Sequence, residues 1–561
     1  MPSARQGVAE LPYICNAYGI NHVVISSGSR CAPLVLSFTS HRLFRCISLA
    51  DERSAAYYAL GMAQQLQKPV ALVCTSGTAV ANYAPALAEA LYLKVPLIVL
   101  TADRPAEWID QNDGQTIRQF DIFRNVVKKS FQVPVETEKE EDLWNFRRTL
   151  NEAISTSILD IPGPVHVNIP LREPLYNTLP DIINDPRIIE LTNGVKNLTE
   201  DKWQQVVDSW KKFSRKLVVC GLTHSKNIEV QNLLNKMASS SEVVVVAENL
   251  SNLYGERFID SPDKFMASLD HSERDDFQPD LLITIGGSII SKKLKKYLRQ
   301  YKPIEHWHID ENTQFIDTFQ CLSQHVGVHP ELFFSKVIGQ GVANAEYSNL
   351  VNKKGSEIQT KHTEFILNAE FSDLKAWDAV IGKLPSNINL HLANSTPVRY
   401  AQLFASRSDI AYFSNRGTSG IDGCVSTAAG AATVTRKLNL LLLGDMAFVY
   451  DSNGLWNSNL PPNLRIVVMD NGGGNIFRLI ETGPELTKII PYIEIPHKVK
   501  IGSLCDAYGV EYHLAEDMNS LKQALAKFYE PSEKPRVLHI KTSGRTSAKI
   551  FKEYYQHISN S

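Results

Sequence analysis

Apolar residues in this chain gather into short runs, each stopped by a turn of small or polar residues. His22–Ile25 runs into Ser26-Ser27-Gly28-Ser29-Arg30, Val70–Cys74 into Thr75-Ser76-Gly77-Thr78, and Leu97–Leu100 into Thr101-Ala102-Asp103-Arg104-Pro105. Pro164–Ile169 closes this first set. Unbroken runs of this kind predict strands of a parallel sheet covered on both faces. The spacing between them predicts helices over 51–67 and 79–93, and Asp51 and Glu52 suit the positive end of the first. Four more runs, Lys216–Gly221, Glu242–Ala247, Asp280–Gly287 and Glu305–Asp310, predict a second sheet of four strands. In the last third Leu438–Leu443 ends at Gly444-Asp445, Ile466–Met469 ends at Asp470-Asn471 and three glycines, and Val537–Ile540 forms a closing strand. The segments 174–187 and 340–360 read as linkers. The expectation is an α/β chain of three doubly wound parallel-sheet domains, 1–180, 190–345 and 360–561.

Segments 70–104 and 438–474 follow one plan: strand, polar turn, helix, Pro-containing junction, strand, polar turn. A small-residue helix precedes each, Glu52–Ala63 in one case and Asp422–Thr433 in the other. This predicts a repeat on the scale of a domain. In parallel sheets ligands bind beyond the carboxyl ends of the strands. Asp445 and Asn471 fall there, 26 positions apart. They offer two hard oxygen ligands beside a glycine run that lets the backbone approach closely, which is what a magnesium-diphosphate requires.

Composition narrows the classes. With 561 residues, 43% hydrophobic, 21% charged and a net charge of −2, nothing favours nucleic acid or a membrane surface. The eight cysteines include no C-x-x-C pair, a pattern of reduced thiols in a cytoplasmic protein. No apolar stretch is long enough to span a bilayer, and no signal peptide is expected. The absence of G-x-G-x-x-G after any run disfavours a nicotinamide dehydrogenase. His306 and His308 point to one side of a strand, but without a nearby Cys or third His the plain strand face is the preferred reading. Glu52, at a helix start, is the residue type that exchanges a proton with a ring nitrogen in a water-poor pocket. Arg30, Arg104, Arg399 and Arg416, with Lys292, are suited to recognising several carboxylates.

The motifs Ser27–Leu34, Asp51–Ala55, Thr75–Asn82, Thr101–Pro105, Ser395–Arg399 and Ser414–Gly423, with Gly444-Asp445 and Asn471, resemble those of thiamine-diphosphate-dependent enzymes. Among these they are most similar to the carboligases of menaquinone biosynthesis. The resemblance implies a pyrimidine-binding, a central and a diphosphate-binding domain. It implies that Glu52 meets the pyrimidine of thiamine diphosphate and that Ile421 wedges the coenzyme into a bent shape. Ser395, Gly444, Asp445, Asn471, Gly473, Ile476 and Phe477 would complete the coenzyme site. Asp445, Asn471 and the carbonyl of Gly473 would hold Mg²⁺, or Mn²⁺ in its place. Ser29, Arg30, Arg104, Gln115, Lys292, Ser395, Arg399 and Arg416 match positions that contact substrates and intermediates.

The implied reaction is decarboxylation of 2-oxoglutarate followed by conjugate addition to isochorismate. The implied assembly is a homodimer or homotetramer with each site between subunits. Three departures stand out: Ser27 replaces a more usual Pro, Gly114 replaces an Asn before Gln115, and 470–474 is less Asn-rich than usual. The alternative is another thiamine-diphosphate 2-oxoacid decarboxylase or carboligase, such as an acetolactate synthase. The cation set argues against it, since a pyruvate enzyme has no second carboxylate to bind. A non-catalytic protein of the same fold would be expected to lose Glu52 or Asp445, and both are present.

Overall fold

Three all-parallel sheets organise the chain in a computed structural model that describes residues 1, 3–178, 185–479 and 486–559. The first sheet is built from β1 (His22–Ile25), β2 (Arg45–Ser48), β3 (Val70–Cys74), β4 (Leu97–Asp103), β5 (Ser130–Gln132) and β6 (Val165–Pro170), in the order β2-β1-β3-β4-β6-β5. The middle sheet contains β7 (Lys216–Cys220), β8 (Val244–Ala247), β9 (Leu281–Ile285), β10 (Glu305–Ile309) and β11 (Gln324–Val326), in the order β11-β10-β9-β7-β8. The last is built from β12 (Asn389–Leu392), β13 (Ala411–Phe413), β14 (Asn439–Gly444), β15 (Leu464–Asp470), β16 (Glu511–Ala515) and β17 (Arg536–Lys541), in the order β13-β12-β14-β15-β17-β16. Counted from its own first strand, the last sheet repeats the order of the first. β3, β4 and β6 are buried along their whole length, which is why they read as continuous apolar runs.

Several sequence expectations need correction. The middle sheet has five strands, because Gln324–Val326 pairs with β10; it is too short and too polar to stand out. The helix expected over 79–93 is two, Thr78–Ala81 and Ala84–Leu93, with Pro85 starting the second. The segment 340–360 is no linker. Most of it belongs to a 24-residue helix, Ala345–Asn368, capped by the Asn344 side chain on the Tyr347 N–H. Tyr347, Val351, Ile358 and Ile366 recur at helical spacing and are buried in a core shared by the middle and last domains. Among the polar residues between them Ser348, Lys354 and His362 are buried too, and most of the others face solvent. Of the other expected linker, 174–187, residues 179–184 lie outside the described residues, and the described remainder forms no helix.

The first and last domains are joined by two helices that cross at backbone distance. Helix Glu52–Leu66 packs on helix Cys424–Thr433, and the contact needs glycine. A Cβ on Gly61 would lie 1.9 Å from Thr427 O, and one on Gly430 would lie 2.0 Å from Tyr58 O. Tyr57 Oη donates to Asp422 Oδ2 at 2.6 Å beside this crossing. The buried Glu89 carboxylate accepts the N–H groups of Gly417 and Thr418 at 2.7 and 2.8 Å, and also the Thr418 hydroxyl. This junction fixes Glu52 and the loop carrying Arg416 and Ile421 in one frame. Gly430→Ala gains helix propensity but overfills the crossing, so it should lower stability by ~1–3 kcal/mol, read as a lower denaturant midpoint at unchanged slope.

Candidate active site

The strand ends of the last sheet carry the densest polar chemistry. β14 delivers Asp445, which is 2% exposed. Its Oδ1 accepts the Met446 N–H at 2.8 Å, and its Oδ2 accepts the Gly473 N–H at 2.7 Å. Gly473 has φ +136°, and a Cβ there would meet Glu494 O at 2.5 Å, so this close approach excludes any other residue. The neighbouring strand delivers Asp470, whose Oδ2 lies 2.8 Å from His539 Nε2. His497 Nε2 is 3.2 Å from Asp445 Oδ2. One donor atom from each of Asp445, Asp470 and His497 lies within 4.8 Å of the others, a span that suits a metal ion.

Charge repulsion is visible in the proton affinities. Burial, then the Asp470 carboxylate, pushes Asp445 up to about 7. Asp470 stays below the ordinary carboxylate value despite its burial, because His539 hydrogen-bonds to it. Two carboxylates that cannot both ionise comfortably form a cradle short of positive charge. The donors are mainly oxygen, and the cradle suits a hard divalent cation.

Asn471 follows directly on Asp470. Its Nδ2 donates to Asp373 Oδ2 at 2.7 Å, which leaves Oδ1 as the acceptor end of the amide. Asp373 is buried, and Thr542 and Ser547 hydroxyls donate to its other oxygen at 2.5 and 3.0 Å. Sequence reasoning missed Asp373, Asp470, His497 and His539. Asp373 lies 98 positions before Asn471 at an ordinary helix start, so no local pattern marks it. The Asp470-Asn471 pair was the one available signal.

The remaining expected residues fall into four places. Glu52 is half-buried in the first turn of its helix, after Asp51 caps the Ser54 N–H. Asn453 Nδ2 donates to Asp51 Oδ2 at 2.7 Å, and Arg53 donates to Tyr450 O, so this turn abuts the segment that follows Asp445. Ser395 holds φ +75° at the end of β12, a strained conformation for a residue with a Cβ. The adjacent Asn394 bonds Asn415 O, Gly420 O and the Arg416 guanidinium, tying the loop of Ile421 to this strand end.

The cations form two clusters. Arg30 is 8% exposed and donates to Leu171 O and Glu173, with Nε buried and unpartnered. Burial, then the charge of Arg104, weakens its hold on its proton. Arg104 reaches Asp113 Oδ2, Ser76 Oγ and Gly114 O, beside Gln115. Ser29 opens the short turn that carries Arg30. In the second cluster Lys292, Arg399 and Ile476 line one 720 Å³ cleft together with Arg274 and Tyr555. Arg416 lies close by: burial, then Arg399, lowers its proton affinity, and its Nε is also buried without a partner. Two unpartnered buried guanidinium N–H groups, one in each cluster, offer donors suited to an anionic ligand.

Comparison with known proteins gives one consistent answer. Residues 6–122 match the family model described as "Thiamine pyrophosphate enzyme, N-terminal TPP binding domain". A 2-succinyl-5-enolpyruvyl-6-hydroxy-3-cyclohexene-1-carboxylate synthase of Flavobacterium johnsoniae is 40% identical over 97% of this chain and 98% of its own length. Proteins of the same name from Desulfotalea psychrophila and Bacteroides fragilis are 41% and 35% identical, over 96% and 100% of this chain and 98% and 100% of their own.

The carboxylate pair sets a pH dependence. Asp445 has a folded value of about 7 against 3.8 for the free group, so the folded state binds the extra proton between these values. Its cost to stability is absent below about pH 4, grows towards pH 7 and is full above it. Asp470→Asn removes the like charge. It should therefore shrink the fall in the thermal midpoint of the cofactor-free protein between pH 4 and pH 8, while loss of the His539 hydrogen bond lowers the midpoint at both pH values.

Proposed function

The chain belongs to the family of 2-succinyl-5-enolpyruvyl-6-hydroxy-3-cyclohexene-1-carboxylate synthases, and we propose that the strand-end cradle and the two cation clusters divide that reaction between them. It is a thiamine-diphosphate-dependent transferase of menaquinone biosynthesis. 2-Oxoglutarate loses CO₂, and the remaining four-carbon unit adds to isochorismate. The observation that carries the division of labour is the buried, cation-deficient cradle of Asp445 and Asp470 beside Asn471.

Asp445, the Asn471 amide oxygen and the Gly473 carbonyl would hold Mg²⁺ for a diphosphate, and Asp373 keeps the Asn471 amide turned with its oxygen free. Ile421, Gly444, Ile476, Phe477 and Ser395 would hold the rest of the coenzyme. Bound there, thiamine diphosphate supplies the electron sink for losing CO₂ from a 2-oxo acid and for carrying the product to an acceptor. Glu52 holds and returns a proton at the pyrimidine nitrogen. Arg30, Arg104, Ser29 and Gln115 on one side, with Lys292, Arg399, Arg416 and Ser395 on the other, orient the carboxylates of the two substrates. Both substrates are dicarboxylates, which explains two cation clusters where a pyruvate enzyme has no second carboxylate to bind.

The first cluster lies in the first domain and the second spans the middle and last domains, and a second copy of the chain would complete the site. On this reading the enzyme is a cytoplasmic homodimer or homotetramer, its domains spanning about 1–180, 190–345 and 360–561. Among the described residues no helix is long and apolar enough to cross a membrane.

Glu52→Gln should leave coenzyme affinity near wild type and lower turnover by ~10²–10⁴, the range of lost proton transfer; full activity would remove Glu52 from its role. Mixing the inactive variants Glu52→Gln and Asp445→Ala should recover roughly a quarter of wild-type activity, because each mixed dimer regains one intact site. A mixture that stays inactive after verified subunit exchange would place each site within a single chain.

A further inference from the structure

In the sequence His306 and His308 have no nearby cysteine, and the fold changes their company. After β10 the chain passes through 310–323 and returns alongside the same strand. Ser323 N–H donates to His306 O at 2.9 Å, and His306 N–H donates to Ser323 Oγ at 3.0 Å. This return brings Asp317 and Cys321 beside His306, with one donor atom from each within 4.8 Å of the other two. Cys321 is half-buried and free, and Asp317 is exposed.

The imidazole is prepared for a ligand. His306 is 1% exposed. Its Nε2 lies 2.9 Å from Thr284 Oγ1, which lies 2.9 Å from His308 Nδ1. Its Nδ1 is buried and has no partner. If Nε2–H donates to Thr284 and the Thr284 hydroxyl donates to His308, the Nδ1 of His306 is left as a bare lone pair. That is how a second shell fixes the tautomer of a metal-binding histidine. Asp317 is held as well, because its Oδ1 accepts the N–H groups of Cys321 and Leu322 at 2.8 and 3.0 Å. The Cys321 thiol, pushed up to about 11 by burial and then by Asp317, is a poor free nucleophile. A bound cation would displace its proton and be paired by the Asp317 charge.

We propose that His306, Asp317 and Cys321 form a second metal site, for a borderline-soft divalent cation of the zinc class, with water as the fourth ligand. The nitrogen, oxygen and sulfur donors exclude the hard cation that fits the cradle at Asp445. Bonds of ~2.0–2.3 Å put tetrahedral donors ~3.3–3.8 Å apart, within reach of small side-chain rotations from the observed span. His306, Thr318 and Phe319 also line an 880 Å³ cavity, which gives the ion a path from solvent. The site would clamp 310–323 to the sheet beside β11.

Cobalt tests this on the full chain, because sulfur distinguishes the two sites: the cradle at Asp445 has none. After chelation and without thiamine diphosphate, titration with Co²⁺ should give a sulfur-to-cobalt charge-transfer band in the near ultraviolet. Zn²⁺ should abolish it. Cys321→Ser should eliminate the band, Asp317→Asn should weaken Co²⁺ binding by about tenfold or more, and Cys46→Ser, at another half-buried cysteine, should leave both unchanged. Folding of each variant is checked by circular dichroism. Folded wild-type protein that gives no such band, or a band that survives Cys321→Ser, would overturn the proposal.

Discussion

Two carboxylates delivered to one point by adjacent parallel strands form the constraint around which this molecule is arranged. Parallel pairing of β14 with β15 leaves no choice: the strands end together, so Asp445 and Asp470 end together. Burial makes their repulsion expensive, and the surrounding N–H groups and imidazoles offset only part of it. A folded protein tolerates such a pair where a cation completes it. The backbone around it follows from this need. Gly473 lets its N–H approach Asp445, Asp373 orients Asn471, and the segment around Glu494 closes over the glycine run.

The same logic, seen at larger scale, explains why the first and last domains repeat one topology. Each sheet gathers its polar turns at the carboxyl ends of its strands, and on the proposed reading each would contribute one half of what a bent coenzyme with two substrates requires. The glycine-mediated crossing of helices 52–66 and 424–433 makes the two domains a single rigid frame. Small residues there are a packing requirement, since the backbones themselves are in contact. The middle domain joins this frame through Lys292, which lines the same cleft as Arg399 and Ile476.

Much of this was legible in the sequence. The strands β1, β4, β14 and β15 announced themselves as apolar runs, and the polar turns after them carry Arg30, Arg104, Asp445 and Asn471. Features whose signal is not local escaped notice. Helix Ala345–Asn368 looked like a linker because its four buried apolar residues are diluted by polar ones, of which Ser348, Lys354 and His362 are buried as well. Edge strands such as β11 and β13 are too short to stand out. Asp373, His497 and His539 reach the cradle from distant positions, and only the fold brings them there. Cys321 and Asp317 likewise meet His306 through a chain return that no spacing rule describes.

Anomalous diffraction from crystals grown with Mn²⁺ and thiamine diphosphate tests the central claim most directly. The account predicts a metal peak bonded to Asp445 and to the amide oxygen of Asn471, with the pyrimidine of that coenzyme against Glu52 of a neighbouring subunit. A peak elsewhere, or a coenzyme whose pyrimidine lies away from every Glu52, would contradict it.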